Sequence, residues 1–166
     1  MIRPARLEDW PAMSELNIAA GRAAWEHILP AEFLDNRRPP DRWREAIVDG
    51  LHVVLVAEVD GAVAGFAHLR RSEDADARAD TGELDSFYVH PDFWGRGVGR
   101  ELLATAVQHL AEMGFREATL WTAELNHRPR RVYENAGWAL DGEFRVRSLG
   151  GREFVELRYR IETIEG

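Results

Sequence analysis

The sequence of 166 residues contains no cysteine and no lysine. The absence of cysteine excludes disulfides, thiolate nucleophiles, and zinc or iron–sulfur sites that use cysteine ligands. All 21 basic residues are arginine, whose guanidinium group can bind a phosphate through two hydrogen bonds. Any nucleophile must therefore come from a substrate or from another type of side chain.

The sequence also lacks a long apolar run and an excess of positive charge. It has no run of about 18 apolar residues for a membrane span, and the first residues, Met1 to Pro4, do not begin a secretory signal. The 29 acidic and 21 basic residues give a net charge of −8, which repels a nucleic-acid backbone and favours a cationic partner. We therefore expect a cytoplasmic protein with no nucleic-acid or membrane partner.

The residues that are present suit one folded domain. Hydrophobic residues make up 45% of the chain, with six tryptophans and seven phenylalanines, and charged residues make up 30%. The length is close to that of an ordinary single domain. We predict that residues 1–166 form one domain around one hydrophobic core.

Hydrophobic spacing and turn residues predict alternating strands and helices. Asp60-Gly61 and Gly150-Gly151 each separate two β-rich runs and predict hairpins, the first with positive φ at both turn residues. In the last strand, polar residues alternate with apolar ones, which predicts one solvated face. The predicted strands are residues 2–6, 53–59, 62–69, 83–89, 118–122, 144–149 and 153–161, and the predicted helices are about 8–24, 40–48, 100–113 and 128–135.

Three glycines, Gly95, Gly97 and Gly99, alternate along the loop between a predicted strand and a predicted helix. Glycines there allow successive backbone N–H groups to converge at a helix N-terminus, which attracts phosphate. Arg96 and Arg100 can add charge-assisted hydrogen bonds. The spacing fits neither the dinucleotide fingerprint nor the Walker loop. The loop is either a phosphate site or a plain tight turn.

Residues 82–100, GELDSFYVHPDFWGRGVGR, followed by the amphipathic helix, resemble the acetyl-CoA-binding signature of the GNAT family of N-acetyltransferases. Asn126, Pro129 and residues 133–138 resemble its second signature. The resemblance implies an α/β (α+β) fold with a central mixed, mostly antiparallel sheet of about seven strands, flanked by about four helices. The implied order is strand, two helices, three strands, helix, strand, helix, two strands.

The resemblance also implies that acetyl-CoA lies where the sheet opens between the strand ending at Val89 and the strand at 118–122. The glycine loop would take the pyrophosphate, the pantetheine would lie along the first of these strands, and Asn126 would bind the pantetheine arm. Trp94 stands where the family usually has glutamine or arginine, but phosphate contact there uses mostly backbone N–H groups, so we expect binding to survive. The implied cofactor-binding residues are Phe87, Tyr88, Val89, Trp94, Gly95, Arg96, Gly97, Val98, Gly99, Arg100, Asn126, Arg130 and Tyr133.

Acetyl transfer to an amine requires removal of a proton. An alkylammonium with a pKa of about 10.4 is neutral in only about one molecule in 2,500 at pH 7, so a general base is needed. Glu83 and Asp85 lie two residues apart on one strand and therefore point to the same face. Glu83 matches the position of the base in several family members, and we expect Asp85 to assist. Alternatively, both carboxylates are solvated or anchor the substrate ammonium.

Tyr133 matches the family tyrosine that gives a proton to the departing CoA thiolate, and the alternative is an aromatic residue that packs the helix on the sheet. Without cysteine, an acetyl-cysteine intermediate is impossible, so we expect direct attack in a ternary complex. The six histidines show no metal-ligand spacing, and we expect no metal site.

These features predict an acetyl-CoA-dependent N-acetyltransferase that acts on a primary amine of a small molecule. The alternatives are a protein or peptide amine as acceptor, or an acyl-CoA-binding module without catalysis. An exposed edge strand in the C-terminal hairpin would allow a homodimer, so the chain is expected to be a monomer or a homodimer.

Overall fold

The computed structural model describes residues 1–163, which form one seven-stranded sheet with helices on both faces. The strands are β1 (Ile2–Pro4), β2 (Val53–Val59), β3 (Ala62–Arg71), β4 (Thr81–Val89), β5 (Glu117–Ala123), β6 (Ala139–Leu149) and β7 (Arg152–Glu162). The α-helices are α1 (Trp10–Trp25), α2 (Ala31–Asp35), α3 (Arg42–Asp49), α4 (Val98–Glu112) and α5 (His127–Asn135), and short 3₁₀ helices span Leu7–Asp9 and Pro91–Phe93.

The strand order is β1-β2-β3-β4-β5-β7-β6, in which β4 and β5 are parallel and the other neighbours are antiparallel. This mixed, mostly antiparallel sheet confirms the predicted fold class. The Asp60-Gly61 turn between β2 and β3 has φ values of +50° and +79°, as predicted for that hairpin. No helix in the part of the chain that the structure describes is long and apolar enough to span a membrane.

Alternate residues of β2 face opposite sides of the sheet and divide the hydrophobic core into two layers. Val54 and Val56 pack with residues of α1 and α3, including Met13 and Trp43. Leu55 and Ala57 pack on the other face, with α4 and α5. The α4 residues of this second layer are Val98, Leu102, Leu103, Ala106 and Leu110, which confirms the predicted apolar face of that helix.

The N-terminal region contains three helices before the first hairpin, whereas the sequence predicts two. The additional helix, α2, has only five residues, and Leu34 is its one buried residue. A helix this short shows too little hydrophobic periodicity to be recognised from sequence.

The predicted solvated face of the last strand is wrong, because Glu156 and Arg158 on β7 are only 5% and 4% exposed. Arg158 forms ion pairs with Asp74 at 3.3 Å and with Asp76 and Asp141 at 2.7 Å each. The acidic loop before β4 therefore folds over β7, and its carboxylates compensate the buried guanidinium.

Two irregularities of β4 shape the middle of the sheet. Pairing with β5 covers only Thr81 to Glu83, and the two strands then separate. On the other side, His68 of β3 is opposite Ser86 and Leu69 is opposite Leu84, so Asp85 is an extra residue in a β-bulge. A bulge changes the direction of side chains and is common beside active sites.

Candidate active site

A cleft of about 640 Å³ lies where β4 and β5 separate. Residues 84–89 of β4 and residues 120–123 of β5 form opposite walls, and the end of α1, the start of α4 and the start of α5 complete it. The cleft is lined by Asp85 and by these predicted cofactor-binding residues: Phe87, Tyr88, Val89, Trp94, Gly95, Gly97, Val98, Gly99, Arg100, Asn126 and Tyr133.

Three predicted site residues are not among the described residues that line this cleft: Glu83, Arg96 and Arg130. Arg96 places its guanidinium over the ring of Phe93, 5.3 Å from the ring centre. Arg130 donates hydrogen bonds to the Tyr159 hydroxyl at 2.9 Å and to the Glu124 carbonyl at 2.7 Å. The side chain of Arg130 thus joins α5 to β7 and to the end of β5 instead of extending toward the cofactor region.

The glycine loop presents a set of free hydrogen-bond donors. Gly95 and Gly97 have φ values of +76° and +82°, a conformation that L side chains rarely adopt. Within residues 1–163, the backbone N–H groups of residues 95–100 donate no hydrogen bond to the chain itself. These donors surround the N-terminus of α4, which favours an anion. Gly99 packs at the first turn, where an added Cβ would contact Val89 and Phe87 at 3.5 and 3.6 Å.

Trp94 closes the loop against the end of β4. Its indole Nε1 donates a hydrogen bond of 2.9 Å to the Val89 carbonyl, and the Arg128 guanidinium lies 4.1 Å from the centre of its ring. The backbone carbonyl of Val89, which the family resemblance places against the cofactor, therefore already accepts a hydrogen bond from within the protein. Arg128 lines the cleft and adds a positive charge that the sequence analysis overlooked. Its only signal was its position two residues after Asn126.

Glu83 and Asp85 lie on the same side of β4 and share one cation. Nη2 of Arg70 is 3.0 Å from Oε2 of Glu83 and 3.3 Å from Oδ1 of Asp85. Burial raises the pKa of Glu83 to about 7, and the nearby Asp85 charge adds to this shift while Arg70 opposes it. Glu83 can therefore take up and release a proton near neutral pH.

Asp85 is held as an anion. Burial alone would raise the pKa of its carboxyl, but hydrogen bonds from His68 and Ser86 and the charge of Arg42 hold that pKa well below its usual range. Nδ1 of His68 lies 3.0 Å from Oδ2 of Asp85, and the Ser86 hydroxyl donates to the same oxygen at 2.7 Å. Asp85 is therefore a weak base and a permanent negative charge in the wall of the cleft.

Tyr133 is 6% exposed and stands on α5 among aromatic rings. Its ring lies 5.8 Å from that of Phe87, 6.0 Å from that of Tyr159 and 6.5 Å from that of Trp138. Burial raises the pKa of the Tyr133 hydroxyl above its usual range, so the hydroxyl remains protonated. A protonated phenol in the cleft wall can donate a hydrogen bond to a bound anion, and its raised pKa makes it a weaker proton donor than an exposed tyrosine.

Asn126 and Glu156 complete the polar lining. Asn126 is the N-cap residue of α5, and its side chain, which does not cap the helix, is buried in the cleft wall. Glu156 comes from β7 and pairs with Arg145 at 2.7 Å. Glu156 lies in the cleft wall because its face of β7 is buried. The alternation of polar and apolar residues in β7 had predicted that this face would be solvated. No cluster of potential metal ligands exists in residues 1–163.

Comparison with known proteins identifies the family of this chain. The model of the acetyltransferase (GNAT) family matches residues 10–138. An uncharacterized N-acetyltransferase of Mycobacterium tuberculosis (strain H37Rv) is 29% identical over 135 residues, which cover 80% of this chain and 82% of that protein. The mycothiol acetyltransferase of Propionibacterium freudenreichii is 32% identical over 128 residues, or 74% of this chain and 39% of the relative.

Solved structures share the fold. The structure of YncA from Salmonella typhimurium with acetyl-CoA has a TM-score of 0.78 at 23% identity and covers 100% of this chain and 95% of its own. Since the family model matches well over half of the sequence, the chain belongs to the GNAT family of acetyltransferases, which confirms the predicted acyltransferase and its cosubstrate, acetyl-CoA.

Proposed function

We propose that this protein transfers the acetyl group of acetyl-CoA to a primary amine of a small, positively charged molecule. The observation that carries the proposal is the distribution of charge along one cleft. Free N–H donors and arginines occur at the glycine loop, and the carboxylates Asp85 and Glu156 occur in the walls farther along. The cleft volume of about 640 Å³ is within the range of sites that bind small molecules and cofactors, and it includes the part that we assign to acetyl-CoA.

The residues present fit acetyl-CoA. The donors of residues 95–100 suit the pyrophosphate, with Arg100 and Arg128 as nearby cations, and the side chain of Asn126 suits an amide of the pantetheine arm. Beyond Glu83, β4 has no paired neighbour on the β5 side, so its backbone can bind an extended chain. The cosubstrate supplies the activated thioester, and these groups of the protein orient it.

Asp85 provides the charge that attracts the acceptor's ammonium group. The Glu156 carboxylate and the ring of Trp25 line the same cleft, as does the ring of Trp121, which already has the Arg145 guanidinium 4.2 Å from its centre. Aromatic faces and carboxylates together favour a cation with apolar surface.

Glu83 is the general base of the proposed reaction. Its pKa of about 7 matches neutral conditions, where a base is most effective. Glu83 does not line the cleft itself, so we assign it proton transfer through one water molecule, while Arg70 holds it beside Asp85. The neutral amine nitrogen then bonds to the acetyl carbon, the carbon–sulfur bond breaks, and Tyr133 gives its proton to the departing sulfur. The remaining surplus proton on the nitrogen then returns to the Tyr133 oxygen, which leaves the amide, CoA thiol and a neutral tyrosine.

The test is release of CoA thiol from acetyl-CoA in the presence of single amines. The panel contains amino acids, polyamines, aminoglycosides and peptides with free N-termini. Activity with small cationic amines and none with peptides is the expected result. Peptide activity alone would make the acceptor a protein, and tight acetyl-CoA binding without any thiol release would leave a binding module.

Gly97→Ala is expected to raise KM for acetyl-CoA by about tenfold and to change kcat by less than about twofold. An alanine Cβ at Gly97 would clash with nothing, but at φ = +82° it costs about 1–2 kcal/mol unless the loop moves. Movement of the loop would displace the N–H donors that bind phosphate. Initial-rate kinetics at varied acetyl-CoA concentration measure the change.

Gly114→Ala is a matched control for this variant. Gly114 has φ = +94° at the end of α4, away from the cleft, and an added Cβ there also meets nothing. Both variants should lose similar stability, whereas only Gly97→Ala should raise KM. If the two variants raised KM for acetyl-CoA equally, the glycine loop would not be part of the cofactor-binding site.

A further inference from the structure

A pair of histidines connects Asp85 to the protein surface. Nδ1 of His68, in the middle of β3, lies 3.0 Å from Oδ2 of Asp85. Nε2 of His68 lies 2.9 Å from Nδ1 of His52, which precedes β2. The His68 side chain is 2% exposed, and the His52 side chain is 33% exposed. Three side chains thus form a continuous hydrogen-bonded chain from the cleft wall to solvent.

The hydrogen positions in this chain follow from the chemistry of the three groups. An ionised carboxylate only accepts hydrogen bonds, so Nδ1 of His68 carries a hydrogen. The two nitrogens between the rings then share a single hydrogen, because two N–H groups pointing at each other would repel. In the neutral pair, this hydrogen belongs to Nδ1 of His52, and Nε2 of His52 is bare.

One additional proton can therefore bind to the pair, and it binds at Nε2 of His52. When it does, the shared hydrogen can move from His52 to His68. The positive charge then lies on the ring beside Asp85, although the proton itself entered from solvent.

The chain does not carry protons out of the cleft. A proton that Asp85 received from a substrate cannot pass to His68, because the ring nitrogen facing the carboxylate already carries a hydrogen. The effect on the cleft is consequently one of charge. With a neutral pair, Asp85 faces only the constant positive charges of Arg42 and Arg70, and a protonated pair adds a further positive charge beside it.

Other charged groups surround this chain. Asp49, at the end of α3, lies 3.9 Å from Nδ1 of His52. Arg42, at the start of α3, lies 3.3 Å from Asp85, as does Arg70 of β3. Arg42 and Arg70 stay charged between pH 6 and pH 8. Asp49 stays ionised in the same range because its pKa is lowered, so these three groups contribute constant charges. Glu83 also takes up a proton near pH 7 beside Asp85, so the effect of the histidine pair is the difference between the wild type and a variant that lacks His52 but keeps Glu83.

From this arrangement we infer that His68 and His52 are positioning residues that bind one surface proton as a unit and thereby set the affinity of Asp85 for the amine acceptor. The inference rests on the proposed function for the role of Asp85. It predicts that acceptor KM rises by about tenfold between pH 8 and pH 6, a change typical of a close charge in a partly buried site.

The first experiment needs no acceptor. Side-chain ¹⁵N NMR of the protein at varied pH should show the nitrogens of His52 and His68 changing together, with uptake of one proton by the pair. Asp85→Asn should shift that transition to lower pH, because the carboxylate stabilises the charged pair. Independent transitions of the two rings, or an unchanged transition in Asp85→Asn, would overturn the inference.

The second experiment uses the amine that gives thiol release in the panel described above. His52→Asn keeps an N–H donor for His68 but cannot bind the additional proton, so acceptor KM should change less between pH 6 and pH 8 than in the wild type. The variant should keep the dependence of kcat on pH, which a general loss of structure would not do. His109→Asn, on α4 away from the cleft, should behave as wild type.

The two experiments separate this inference from the proposed function. A joint transition in the NMR titration with no amine activity would defeat the proposed acetyl transfer and leave the histidine pair intact. Amine activity whose KM depends on pH equally in wild type and His52→Asn would defeat the role of the pair alone.

Discussion

Glu83→Gln is expected to lower kcat at pH 7 by about 10²- to 10⁴-fold, the usual contribution of a general base. Glutamine keeps the size of the side chain and a partner for Arg70 but cannot accept the ammonium proton. KM for acetyl-CoA should stay unchanged, because Glu83 does not line the cleft. Steady-state thiol release with the active amine measures both constants.

The dependence of kcat on pH distinguishes a base from an anchor. The pKa of Glu83 is about 7, so wild-type kcat should fall as pH decreases through 7 and the carboxyl becomes protonated. In Glu83→Gln this limb should disappear, and the residual rate should rise toward high pH as more free amine becomes available. An unchanged profile would remove Glu83 from proton transfer, and an increase in acceptor KM alone would make it an anchor.

Stability supplies a control for this variant. The folded-state pKa of Glu83 is raised above its unfolded value, so its contribution to stability is present at low pH and is lost as pH rises through about 7. At pH 8 the neutral glutamine avoids a buried charge, and Tm of Glu83→Gln should therefore not be lower than that of wild type. Glu143→Gln, at an exposed position on β6, should change neither Tm nor kcat.

Local sequence signals were sufficient to predict the glycine loop and the apolar face of the helix that follows it. The alternating glycines fix the backbone of residues 95–99, and the spacing of Leu102, Leu103 and Leu110 fixes the face of α4. Both features depend on residues that are close in sequence. The separation of β4 from β5 beside the glycine loop was predicted only from the family resemblance. The paired residues of these two strands are about 36 positions apart in the sequence, so neither strand has a local pattern that shows where the pairing ends.

The region around Asp85 and Glu156 depends on contacts between distant residues, and there the sequence patterns were less informative. His68 lies in an apolar run, and its partners are 16 and 17 residues away. The bulge that isolates Asp85 appears only when β3 and β4 are paired. Glu156 was assigned to a solvated face, because the carboxylates that compensate neighbouring Arg158 are 17 to 84 residues away.

Arg130 illustrates a limit of reasoning from one helix face. Its position one turn before Tyr133 correctly places the two residues near each other, but the sequence does not reveal competing partners. Tyr159 and the Glu124 carbonyl bind its guanidinium before it can extend toward the loop. A long flexible side chain can satisfy its charge in several directions, and tertiary contacts select one of them.

Tyr133→Phe is expected to lower kcat by about 10²- to 10³-fold while the dissociation constant of acetyl-CoA changes little, because proton transfer to the leaving group is lost and the ring contacts remain. Phenylalanine keeps the packing against Phe87, Tyr159 and Trp138. The thiolate would then have to leave without a proton. Rapid-quench measurement of product formation, together with calorimetric titration of acetyl-CoA, separates the chemical step from binding.

Tyr159→Phe is the matched control, because it removes a hydroxyl from the same aromatic cluster outside the cleft. That hydroxyl donates to Glu134 at 2.6 Å and accepts from Arg130 at 2.9 Å, so its loss should cost about 1–3 kcal/mol of folding free energy. Tyr159→Phe should therefore lose stability and keep kcat, whereas Tyr133→Phe should keep its stability and lose kcat. If Tyr133→Phe instead lowers Tm and keeps kcat, its hydroxyl serves packing, and the sulfur must receive its proton from another donor.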